Sequence, residues 1–204
     1  MVVGVCRHEA DSAIHVDNVH IGVSDVNGVH IRLEEMVMST VVKDRQTADL
    51  DDREGLVVFL IGMRINRLWQ FWRWLPVLGA MPRMLTELIR DPSRGLLGRP
   101  RTFVSGRVVM VVQYWRSFED LERYARDPKA QHLPAWRAFN RRVRDNSAVG
   151  IFHETYRVAA SEAESVYVNM PVFGLARATA AIPVGHGKQT AAERLGMSPL
   201  GASR

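Results

Sequence analysis

A chain of 204 residues, 47% hydrophobic and 24% charged, has the material for one packed core with appendages, and argues against two domains or a wholly disordered protein. The formal charge of +5 comes from 24 Arg and 3 Lys spread along the chain with no nucleic-acid motif, so nucleic acid is not expected as a partner. The single Cys6 excludes an internal disulfide and a cysteine zinc site; with no signal-peptide pattern and no apolar run of spanning length, the expectation is a soluble, cytoplasmic protein with no membrane partner.

In chain order, residues 1–50 read as an N-terminal extension, partly disordered, whose first 35 residues have little packing role. Asn27-Gly28 could turn a hairpin there, and His8, His15, His20 and His30 share no helical face. Gly55–Asn66 runs nearly without interruption through β-branched and aromatic residues, which predicts a strand buried on both faces. Arg67–Asp91 is helical, with Trp69, Trp72 and Leu75 at spacing three. Pro76 and Pro82 break it, and Pro82 starts a second helical piece carrying Leu85, Leu88 and Ile89.

A Gly-rich loop leads into a hairpin, Arg101–Trp115, that turns near Ser105-Gly106. Ser117 with Asp120 forms a capping box for the next helix, which Asp127-Pro128 ends; His132–Asp145 predicts a further helix. Val149–Val158 is a strand, and Glu164–Met170 a short last one. Residues 51–175 are thus the domain, and 176–204, rich in Gly, Ala and Pro, a mobile C-terminal tail.

The order β-α-β-β-α-β predicts an α+β fold of ferredoxin-like topology with helices on one face of the sheet. If the other face is also apolar, a second copy of the same sheet is its simplest cover, which predicts a homodimer.

Polar residues recur within the apolar strands. Arg64 and Asn66 share a face of the first strand; Gln113 and Trp115 share one face of the third, and Tyr114 takes the other. His153 and Thr155 share a face with Ile151 in the last long strand. A histidine in such a run is either a satisfied structural residue, one at a dimer seam, or a base or hydrogen-bond donor to a bound molecule. Glu154 cannot join His153 as a dyad, because adjacent strand residues point to opposite faces. His132, in the first turn of its helix, is a solvated polar residue or a second group at a pocket mouth; His132 and His153 alone are weak evidence for a metal. Trp69, Trp72, Trp74, Trp115 and Trp136 read as core first and as walls of a small-molecule pocket second, and LWQFWRWL is set aside as an interfacial membrane helix.

The segments FLIGMRINRLW, PRMLTELIRD with GLLG, VQYWRSFEDLERYARD, HLPAWRAFN, VGIFHETYRV and VYVNMP, in that order, resemble the DUF4188 or fumagillin-pathway monooxygenase-like family of the dimeric α+β barrel superfamily, over about residues 50–175. The resemblance implies a monooxygenase that acts without metal or flavin on a small aromatic or polyketide-like molecule, whose deprotonated form supplies the electrons. Under it His153 is the base, Arg64 and Asn66 stabilise the oxyanion, and Tyr114, Trp115, Trp136, Trp69 and His132 contact the substrate. Two alternatives stand beside it: a haem-binding protein of the same fold, haem-degrading or dehydratase-like, with His132 or His153 as axial ligand, and a non-catalytic small-ligand-binding module.

Overall fold

The computed structural model describes residues 40–128, 147–186 and 188–197. The readings placed on residues 1–39, on the helix His132–Asp145 and on the last seven residues lie outside them.

Six elements build the main layer. Strand β2 (Gly55–Ile65) is followed by helix α1 (Phe71–Arg90), strands β3 (Leu96–Ser105) and β4 (Val108–Trp115), helix α2 (Phe118–Arg126) and strand β5 (Val149–Ala159). The strands make one antiparallel sheet in the order β3-β4-β2-β5. With the two crossing helices, that order is the ferredoxin-like α+β topology, and the sheet is open rather than closed into a barrel. Strand β2, the most continuously apolar segment, takes an inner position with a neighbour on each side.

Register settles the two faces. Val57, Phe59, Ile61, Met63 and Ile65 of β2 stand in rows with Trp115, Gln113, Val111 and Val109 of β4 and with Arg157, Thr155, His153, Ile151 and Val149 of β5. This side takes the helices. Leu88 of α1 and Leu121 and Tyr124 of α2 pack with Val57, Leu96 and Trp115. Trp74, Val77 and Leu78 of α1 pack with Met63, Ile65 and Val149.

Helix α1 is continuous through Pro76 and Pro82, contrary to the expected break. Both prolines are exposed, so the carbonyls left without an N–H partner can turn to water and the helix survives. The expected apolar stripe is also displaced. Trp69, Trp72 and Leu75 face solvent, while Trp74, Val77 and Leu78 face the sheet.

Helix α2 begins as its sequence dictates: the Asp120 N–H donates to the Ser117 hydroxyl at 3.1 Å. The Asp120 carboxylate accepts instead from Arg116 Nε and Arg123 Nη1, both at 2.7 Å. Gly95, at φ 91, lets the chain pass this side chain, since a Cβ there would lie 2.6 Å from Asp120 atoms. Arg94 then ties the helix ends together, pairing with Glu87 at 3.3 Å, Asp91 at 3.0 Å and Asp127 at 3.2 Å.

The opposite side of the sheet carries a second layer. Strands β1 (Val42–Ala48), β6 (Tyr167–Met170) and β7 (Ala181–Pro183) form a three-stranded sheet in the order β6-β1-β7, with helix α3 (Gly174–Ala178) between β6 and β7 in sequence. A last turn of helix, α4 (Ala191–Arg194), opens with a capping box between Thr190 and Glu193. Ala48, Leu175 and Ala176 bury themselves against Leu56, with Val58, Leu97 and Tyr114 around them.

The expected boundaries at residues 50 and 175 therefore cut through one packed unit. Val42–Ala48 belongs to a sheet rather than to an extension, and the chain from Arg177 to Pro183 is anchored rather than a mobile tail. A few apolar residues suffice there because backbone pairing on both sides of β1 does much of the holding. Strand β3 likewise starts at Leu96, inside the segment read as a loop, with a register shift between Leu97 and Arg101.

Candidate functional site

The two clusters on the helix side sit at opposite ends of the strands and leave the middle rows between them. Those rows are Gln113–Phe59–Thr155 and Val111–Ile61–His153. Phe59 and Ile61 are half-buried, and His153 and Thr155 are exposed. Half-buried Phe59 and Ile61 thus form an apolar strip, the trough, between buried Val111 and Gln113 along β4 and exposed His153 and Thr155 along β5, flanked by the packed Trp115 and Met63 clusters.

Two further features fix its chemistry. The His153 ring lies 5.9 Å from the Phe59 ring, tilted by 39°, and makes no hydrogen bond to a described residue. At the other rim Gln113 is 5% exposed, and its Oε1 accepts from Trp115 Nε1–H at 2.9 Å. Trp115 is fully buried, with its ring 5.8 Å from that of Tyr124 and tilted by 34°, so the carboxamide is held in one orientation by a rigid neighbour. Burial pushes the Tyr124 hydroxyl up to about 12, so it stays protonated beside this wall.

The trough thus offers a proton acceptor, an oriented amide, a threonine hydroxyl and two apolar side chains. It can hold a flat, largely apolar molecule with an acidic proton directed at His153. For haem the fit is of the same kind: an apolar floor and an imidazole with a ring nitrogen to give.

The residues singled out from sequence divide between the faces. His153 and Trp115 lie on the helix side. Arg64 is on the other side, opposite Gly150, and its guanidinium donates to Asn66 Oδ1. Asn66 in turn donates to the Ser147 carbonyl at 2.9 Å. Arg64 and Asn66 therefore buttress the end of β2 and cannot reach a molecule bound at His153. Tyr114 also faces away, toward the second layer, where burial raises its hydroxyl above the usual range. Trp69 is 69% exposed and away from the sheet. His132 and Trp136 lie outside the described residues.

Gln113, Thr155 and Phe59 were given no role in the sequence reading. Gln113 carried a signal, being the one polar residue among Val109, Val111 and Trp115 on its side of β4. Three open clefts, of about 590, 340 and 790 Å³, lie elsewhere, and neither His153 nor Arg64 lines any of them. Charged side chains line much of each, several already in ion pairs such as Arg94–Asp127 and Arg194–Glu164.

With this geometry in view, comparisons place the chain among known proteins. A family model described as monooxygenase af470-like matches residues 56–175. No curated protein matches in sequence. Among solved structures, an aldoxime dehydratase in complex with butyraldoxime is similar over 71% of this chain and 42% of its own, with 17% identity and a TM-score of 0.55. Another aldoxime dehydratase is similar over 69% of this chain and 46% of its own, with 18% identity and a TM-score of 0.52. The chain thus spans under half the length of either, and the likeness is one of fold. The cofactor-independent oxygenase SnoaB from Streptomyces nogalater is similar over 50% of this chain and 91% of its own, at 13% identity and a TM-score of 0.37.

Proposed function

This chain belongs to the monooxygenase af470-like family, and from that premise we propose that it oxidises a small aromatic or polyketide-like molecule with dioxygen, without a bound cofactor, in the trough between the two helix-side clusters. The observation that carries the reading is the Ile61–His153 row: an exposed imidazole beside an apolar floor, on the side of the sheet that the helices flank. His153 accepts the acidic proton of the substrate, and the resulting anion, spread over an aromatic system, gives electrons to dioxygen. One oxygen atom replaces two hydrogens on carbon, and the other leaves with them as water. Gln113, fixed by Trp115, positions the substrate oxygen on which charge builds.

Two parts of the reading extend beyond the trough. The half of the opposite side left free by the second layer, around Leu60, Val112, Phe152 and the 41% exposed Phe103, is the surface for a homodimer. In a second reading, favoured by the exposed imidazole without a hydrogen bond to a described residue, His153, with Phe59 and Ile61 beside it, would hold a haem. Haem, when bound, supplies an iron able to take up electrons or a ligand atom.

Oxygen uptake with a panel of quinols and polyphenols separates the two. Uptake by the metal-free protein that falls about 10²–10⁴-fold in His153→Ala supports the first. A Soret band that forms on adding haem and is lost in His153→Ala supports the second. Saturable binding with neither signal leaves a non-catalytic ligand-binding module and removes both.

A further inference from the structure

We propose that the solvent side of the first turns of α1, with the loop leading into it, docks onto an anionic lipid surface. Five large apolar side chains stand out within eight residues: Leu68 is 49% exposed, Trp69 69%, Phe71 56%, Trp72 59% and Leu75 41%. Together they present apolar surface on the order of several hundred Å², beyond what singly scattered side chains give. Phe71 and Trp72 brace one another edge to face, with ring centroids 5.2 Å apart. The sheet is served by the other side of the helix, through Trp74, Val77 and Leu78. The start of α1 therefore carries large apolar side chains on its outer side as well as on its sheet side, the pattern of a helix whose outer side is also covered.

Charge selects the cover. Arg67 and Arg73 are exposed in the same stretch, and residues 67–86 contain neither Asp nor Glu. The first acid, Glu87, already pairs with Arg94 at 3.3 Å. A second copy seated on this patch through a two-fold axis would bring Arg67 and Arg73 of both chains to one seam with no carboxylate from the patch to pair them. Anionic headgroups supply that charge. Indole rings settle at the headgroup boundary, and arginines beside them add attraction that salt screens. A helix lying in the interface needs no spanning length, and no described helix is long and apolar enough to cross a membrane. Such peripheral docking revises the reading that set LWQFWRWL aside.

The test is co-sedimentation of the full chain with vesicles of phosphatidylcholine mixed with phosphatidylglycerol, against phosphatidylcholine alone. Binding to the mixed vesicles with a blue shift of tryptophan emission, reversed by salt, is the expected result. Trp69→Ala with Trp72→Ala should lower partitioning about tenfold or more, and Arg67→Gln or Arg73→Gln about fivefold each. Circular dichroism checks folding. Should the tryptophan variant fail to fold, the arginine variants carry the test alone. The proposal is overturned if the protein ignores both vesicles, or if the folded variants bind as the parent does. It is equally overturned if the substitutions abolish self-association and leave vesicle binding unchanged, which would make a second copy the occupant.

Discussion

On the helix side of the sheet, half-buried Ile61 and exposed His153 form a row between the packing around Trp115, which includes Phe59, and the packing around Met63. On the other side, Leu56, Val58, Leu97 and Tyr114 meet Leu175, Ala176 and Ala48 in one cluster over part of the sheet. Both sides carry polar groups, and the contrast separates their uses. Arg64 and Asn66 satisfy one another and a backbone carbonyl, whereas His153 has a tilted ring neighbour and no hydrogen bond to a described residue. A polar group whose partners are all local explains itself by the fold. One left over on an apolar floor asks for a ligand.

The sharpest way to break this contrast is at Trp115, which belongs to the core and to the trough's edge at once. Trp115→Ala removes the one aromatic residue among the described ones with no exposed surface and frees Gln113, and is expected to cost about 3–5 kcal/mol. Urea denaturation measures it. A loss under about 1 kcal/mol would mean that the cluster collapses to fill the space, and that the wall is softer than the packing implies.

How far the contrast was legible in sequence follows from which distances sequence controls. The order of strands and helices was readable, because alternation in Val149–Val158 and capping at Ser117 are local signals. Within each strand the pairing of sides was also right: Gln113 with Trp115, His153 with Thr155. What local pattern cannot supply is register between strands, and a slip of one residue exchanges every side chain between faces. Hence His153 and Arg64, each placed correctly on its own strand, were joined in one site although the sheet divides them. Trp69 and Trp72 failed for a related reason. With Trp72, Trp74, Leu75, Val77 and Leu78 crowded into the first turns of α1, apolar spacing alone does not pick the side that meets the sheet, and the choice of Trp74 is made by tertiary packing. Strand β1 was hidden by its charges and by an irregularity, with Asp44 at φ 75 facing Asn169 at φ 50 where the register shifts.

A smaller effect is expected at Asp120, which anchors the helix that closes one end of the trough. Its carboxyl is 5% exposed, and the hydrogen bond from Arg116, backed by that from Arg123, holds it below the usual carboxylate range. The stabilisation is therefore complete above the ordinary carboxylate value and disappears as pH falls through the lowered one. Asp120→Asn should cost about 1–3 kcal/mol near neutral pH and flatten the acid limb of the stability profile. Thermal melts from pH 7 down to strongly acid conditions report both. An acid limb as steep in the variant as in the parent would assign it to other carboxylates.

The smallest expected effect is the most informative about function. Arg64 is exposed, lies on the side away from His153, and bonds within its own strand end. Arg64→Ala should change stability by no more than about 0.5 kcal/mol, because an exposed side chain with one local partner has little to lose. His153→Ala should be as mild in stability, since that side chain is exposed as well. In turnover the two should part: Arg64→Ala stays within about twofold of the parent, while His153→Ala loses about 10²–10⁴. Equal losses from both would require one molecule to touch both sides of a hydrogen-bonded sheet, which rows such as Ile61–His153 and Arg64–Gly150 forbid. Arg64 would then have to act through folding or assembly, and a drop in melting temperature or a change in oligomeric state would accompany the lost turnover.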